Sequence, residues 1–227
     1  MPPFDAVPAH ARQVPAGTVK LSGETFSMLI NLSGRRRFTS QRLVLYAVLA
    51  IRSDRGAVGI ARDALRLFSE AHHILVKGND EVPGVFCEEL EAVYFGAERG
   101  DARIRQFMEH AEMALNAIDR GEPNAGPLVD ELVGFATPLL ALLNRITQVY
   151  EELSKRHATR VRKQLVGIMT DIESIAKQAR MVAFNAQIVA ARAGTAGREF
   201  SVVAGVLSDI TGEIDALVKE AMSDSVV

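Results

Sequence analysis

The chain has 227 residues, 48% of them hydrophobic and 24% charged, enough for one or two domains that bury about 70% of their unfolded surface. Thirty-one alanines stand against no tryptophan and three tyrosines, and this excess of the best helix former over strand-building residues predicts an all-α fold. The 26 basic and 28 acidic residues cancel to a formal charge of −2, so the overall balance gives no pull toward nucleic acid or an anionic membrane surface.

The single cysteine, Cys87, leaves no intrachain disulfide to form, and the scattered histidines give no zinc spacing. Both fit a reducing cytoplasm, which is the expected location. The longest apolar runs, 43–51 and 135–143, reach about nine residues, where a membrane span needs roughly 20; no membrane insertion is expected. Residues 1–17 combine several prolines with Asp5 and Arg12 and lack an apolar core like that of a signal peptide. Residues 1–20 are therefore expected to form a flexible tail.

From about 22 to 53, Phe26, Leu29, Leu32, Leu43, Tyr46, Ala47 and Ala50 recur at three- and four-residue intervals, predicting a first helix. A second runs through Ile60, Ala64, Phe68, Ala71 and Leu75 and stops at Gly78-Asn79. Between 79 and 100, Pro83, Gly84, Gly96 and Gly100 frame a connection with one or two helical turns. A third long helix spans 101–120, with Asp101 placed to cap it and Ile104, Met108, Ala111, Leu115 and Ile118 on one side.

From Leu128 to Ala193 the only strong breakers are Pro138 and Gly167, so one very long helix is expected, kinked at Pro138 and roughly 100 Å long if continuous. Its second half carries Ile168, Ile172, Ile175, Ala179, Val182, Ala186 and Val189, a heptad seam. Gly194-Thr-Ala-Gly197 interrupts it, and Phe200, Val203, Leu207, Ile210, Ile214 and Leu217 resume the pattern. The expected product is an antiparallel coiled-coil hairpin with its tip at 194–197. Met181, Phe184, Ile188 and Val202 lie off the seam, and the hairpin is expected to pair with a second copy as a four-helix bundle, although a core within one chain would also use them. The domain reading is a helical input domain over 21–125, completed by the first part of the long helix, and a hairpin domain over 126–227.

The stretch Ile175-Ala-Lys-Gln-Ala-Arg-Met-Val-Ala-Phe-Asn185-Ala-Gln-Ile-Val-Ala-Ala-Arg192-Ala-Gly194-Thr-Ala-Gly197-Arg198-Glu-Phe200-Ser-Val-Val-Ala204 resembles the cytoplasmic hairpin tip of methyl-accepting chemotaxis proteins. Asn185-Ala, Ala190-Ala-Arg-Ala-Gly, Gly197-Arg and Val202-Val-Ala carry the likeness. The resemblance implies a non-enzymatic signal transducer whose tip docks a chemotaxis histidine kinase and its coupling adaptor. By position, Asn185 and Arg192 match two of the family's polar contact residues near the turn, and Val189 and Arg198 complete the candidate partner-binding set. The chain departs from the family at Lys177, usually aromatic, at Val189 and Val206, usually glutamate, and at Glu199, usually glycine. Thirty residues follow Gly197 in this sequence, a return arm expected to be short for the family's methylation region, and Glu151-Glu152 reads more plainly as a solvated face.

A second resemblance lies in Ile30-Asn31-Leu32-Ser33-Gly34-Arg35-Arg36-Arg37-Phe38-Thr39-Ser40-Gln41-Arg42-Leu43, which is similar to the signature helix of type IV pilus receptor and nitrate/nitrite-sensor input domains. It implies a four-helix input domain. In nitrate-sensing members, the arginine at the position of Arg37 reaches the dimer axis and holds the anion, so Arg37, with Asn31 and Ser40, is the candidate ligand-binding set. The alternative is that Arg35, Arg36, Arg37 and Arg42 form a solvated basic face.

Other candidates carry less. His72 and His73 point about 100° apart on a helix, a poor metal geometry, and the acids beside Cys87 oppose a reactive thiolate. No nucleophile-base pair, phosphate loop or catalytic acid pair is present, so neither catalysis nor a cofactor or metal is expected. The expected function is a soluble, homodimeric, chemoreceptor-like signal transducer that senses a small molecule or partner. The alternative is a diverged receptor-tip scaffold without kinase control.

Overall fold

The computed structural model describes residues 20–52 and 56–224; the expected tail, apart from Lys20, lies outside them. The fold is all-α: α1 (Gly23–Ile51), α2 (Ala57–Lys77), the short α3 (Glu88–Phe95), α4 (Gly100–Arg120), α5 (Ala125–Arg192) and α6 (Arg198–Asp224), with a 3-10 turn at Gly194–Gly197 between the last two. Among the described residues there is no strand, only an isolated bridge between Gly78 and Pro83. The chain divides into two compact units, Met1–Lys155 and Arg156–Val227.

In the first unit the periodicity reads directly into packing. Ser22 caps α1 by accepting the Thr25 N–H at 3.1 Å. The buried face of α1 runs Phe26, Leu29, Ser33, Arg36, Ser40, Leu43 and Ala47, and that of α2 runs Ala57, Ala61, Ala64, Phe68, Ala71, His72 and Leu75. The alanines of α2 leave room for α1 to pack closely on it. Gly78 ends α2 at φ +81, where an added Cβ would meet the Gly84 nitrogen at 2.6 Å, so no other residue fits this turn without movement.

Asp101 does not cap α4. The cap is Arg99, in the left-handed region at φ 49 with no side-chain capping bond, and Asp101 instead is the second residue of the helix and binds side chains of other residues. The α4 stripe of Ile104, Phe107, Ala111 and Leu115 meets Leu132, Leu139, Leu143, Ile146 and Tyr150 from the start of α5 in one core. The α-helix runs through Pro138. Although its uninterrupted apolar runs are short, α5 is long enough and, over an 18-residue window, apolar enough to cross a membrane by composition alone; a core helix meets the same test.

The second unit corrects the expected seam. Ile175, Val182 and Val189 are 64%, 61% and 60% exposed. The residues that close the hairpin lie one position further on and are small: Ala176, Ala183, Ala190, Gly197, Ala204, Thr211 and Val218 are buried, every seventh residue without a break through the turn. Gly197 is required there, since a Cβ would meet the Ala190 carbonyl oxygen at 2.1 Å, and Gly194 turns the chain at φ +62. Arg180 ties the arms by donating to the Thr211 carbonyl at 3.3 Å. The large side chains chosen for the seam therefore face outward, along with Met181, Phe184 and Val202.

Candidate functional site

Two places carry chemistry beyond packing. In the first unit a chain of polar side chains passes through the core. Arg36 is fully buried, so it does not belong to a solvated basic face. Its Nη1 donates to His72 Nδ1 at 3.1 Å and its Nη2 to Ser33 Oγ at 3.3 Å. An arginine can only donate, so His72 Nδ1 must accept, and the proton sits on Nε2, which donates to Asp101 Oδ1 at 3.1 Å. Asp101 also accepts from Arg105 Nε at 2.9 Å. At the other end Ser33 shares a hydrogen bond with Thr147 at 2.8 Å, and Thr147 donates to the Leu143 carbonyl.

This chain links α4, α2, α1 and α5 and separates the Arg36 charge from the Asp101 carboxylate by one neutral imidazole. Burial, reinforced by Arg36, pushes the His72 pKa down to about 3, against a smaller opposing pull from Asp101. The Arg36 guanidinium also lies 5.7 Å from the centre of the Tyr94 ring, while its Nε has no hydrogen-bond partner among the described residues. Tyr94 and Tyr150 meet through their hydroxyls at 3.4 Å, and burial raises the Tyr150 pKa well above the usual phenol range. Burial likewise raises that of Cys87, which opposes a reactive thiolate.

The proposed ligand residues are placed apart. Arg37 is half-buried and donates to Asn144 Oδ1 at 3.1 Å. Ser40 is buried with its hydroxyl turned to the Arg37 carbonyl at 2.9 Å, and Asn31 is exposed. Within one chain the three do not converge on a cavity. Arg35 and Arg42 are exposed, Arg42 over the Tyr46 ring. His73 is exposed beside buried His72, and among the described residues no group of acids, histidines or cysteines is arranged to hold a metal.

Sequence reasoning dismissed His72 as half of a metal pair and grouped Arg36 with its neighbours. The available signal was phase: Phe26, Leu29, Ser33, Arg36 and Ser40 share the three-four spacing of the apolar stripe.

The second place is the hairpin tip. Asn185, Val189, Arg192 and Arg198 are all exposed, and the first three recur at four- and three-residue steps on one face of α5. Gly197, buried against Ala190, fixes the turn beneath them. No curated protein and no solved structure matches the chain. Residues 129–224, which take in nearly all of α5, the turn and α6, match the family model for the methyl-accepting chemotaxis protein (MCP) signalling domain.

Proposed function

We propose that the protein is a chemoreceptor-like signal transducer whose hairpin, as a homodimer, reports to a chemotaxis-type histidine kinase and coupling adaptor. The observation that supports this best is the outward placement of Ile168, Ile172, Ile175 and Val182 on a hairpin whose own seam is closed mostly by alanine and glycine. A heptad row of large aliphatics left in water is the ordinary signature of a helix awaiting partner helices. Together with the family match over 129–224, it favours a second copy as that partner. Transmission would be conformational, through a coupling of about 1–3 kcal/mol between packing states, with Asn185, Val189, Arg192 and Arg198 as the contact residues.

The test is kinase activity and adaptor capture with the purified full chain at high concentration. Kinase output that changes with added protein supports the reading; output indifferent to it, with no adaptor retained, ends it. We place the protein in the cytoplasm on the same reading, and the input would be a small molecule or a partner received by the first unit. For an anion held by Arg37 across a dimer axis, calorimetry with nitrate and nitrite should give heat that Arg37→Ala abolishes.

A second reading is favoured by the tip itself. Val189 and Val206 are exposed and apolar where the resembling family carries glutamate, which suits a scaffold that binds another partner without kinase control. Val189→Glu with Val206→Glu should create or strengthen kinase coupling if only tip chemistry has drifted. An unchanged response favours the scaffold.

A further inference from the structure

In the first unit, α4 and α5 bound a cleft of about 420 Å³, within the size range of small-molecule sites. Its apolar wall is formed by Phe107, Leu139 and Leu142, all buried, and the half-buried ring of Phe135. Its two rims differ in chemistry. On α4 stand Arg103 and Gln106, both exposed, and no hydrogen bond or ion pair among the described residues engages either side chain. On α5 stand Glu131, Gly134 and Pro138. Proline has no N–H, so the Gly134 carbonyl, four residues earlier in the same helix, lacks its α-helical donor, and both residues line this cleft. The Glu131 carboxylate lies 3.6 Å from His110 Nε2, which already has the Leu128 carbonyl at 2.9 Å.

We propose that this cleft binds a small molecule with a large apolar body and a zwitterionic head. Arg103 gives one rim a cationic donor, beside a Gln106 amide that can donate or accept, and Glu131 gives the other an anionic acceptor. A simple anion would meet Arg103 but be repelled by Glu131; a simple amine would satisfy Glu131 but face Arg103. A head carrying both a carboxylate and an ammonium satisfies both rims, while the body covers Phe107, Phe135 and Leu139. The site is separate from Arg37 and requires neither the kinase nor the hairpin to be as proposed above.

The test is calorimetry on the full chain with three probes of one body: phenylalanine, 3-phenylpropanoate without the ammonium, and phenethylamine without the carboxylate. Phenylalanine should bind, and each half-head probe should bind at least about tenfold more weakly, the cost of one unmatched charged contact. Arg103→Gln should remove the advantage of phenylalanine over phenethylamine, and Glu131→Gln its advantage over 3-phenylpropanoate. Gly134→Leu, at a position where an added Cβ meets nothing within 4 Å, should fill the mouth and abolish binding, with a melting curve to verify folding. Should that variant unfold, the exposed Arg103→Gln still decides the matter. Absence of heat from phenylalanine at about millimolar concentration, equal affinity for all three probes, or affinity untouched by Arg103→Gln would each overturn the proposal.

Discussion

Arg36 is held inside the first unit by a neutral histidine, with no carboxylate among its hydrogen-bond partners. Removing that histidine should therefore cost more than removing the whole pair. His72→Leu leaves a buried charge without its acceptor and should destabilise the unit by about 3–5 kcal/mol, while the double change Arg36→Met with His72→Leu should regain most of it; urea unfolding of the three proteins checks the order. The same residue sets an acid dependence. Above pH 6.5 neither the folded nor the unfolded state protonates His72, and its contribution is whole. Between that value and the native pKa of about 3 the unfolded chain takes a proton that the native state refuses, so stability should fall with pH by up to about 1.4 kcal/mol per unit. The acid limb of the stability profile should be shallower by about one proton in His72→Gln.

At the scale of elements, the hairpin separates what size suggests from what packing uses. Gly197→Ala forces a Cβ to 2.1 Å from the Ala190 oxygen and should open the tip, costing about 2 kcal/mol or more, read as faster amide exchange around 190–204. Gly194→Ala, where only φ +62 is at issue, should cost nearer 1 kcal/mol. Helix limits and the turn were legible in the sequence because glycine, proline and periodicity mark them locally: Gly78 and Gly121 each follow a helix end. The phase of the seam was not. A hydrophobicity pattern ranks Ile175 and Val182 above Ala176 and Ala183, yet two arms that approach closely can bury only the small residues. The cap of α4 was misread for a similar reason, since Asp101 has the right chemistry for a cap but binds Arg105 one turn on and His72 from α2, and local sequence does not display the second of these. Arg37 shows the limit for sites: a motif can nominate a residue, while its geometry depends on what packs beside it, here Asn144 from α5.

For the molecule as a whole, the outward row on the hairpin predicts self-association. Sedimentation of the full chain should show a dimer, and Ile175→Lys with Val182→Lys, exposed positions whose side chains the hairpin's own seam does not use, should dissociate it while leaving helix content nearly unchanged. The two units should also answer differently to dilution. The first closes a core of large side chains within one chain, so its melting temperature should be independent of concentration. The second closes on alanine, glycine, threonine and a single valine, and a seam of mostly small residues removes little apolar surface from water. If a second copy supplies the rest, folding of the hairpin is a bimolecular event whose midpoint rises with protein concentration. The small size of Ala183 and Ala190 thus turns protein abundance itself into a variable that governs how much of the signalling element is ordered.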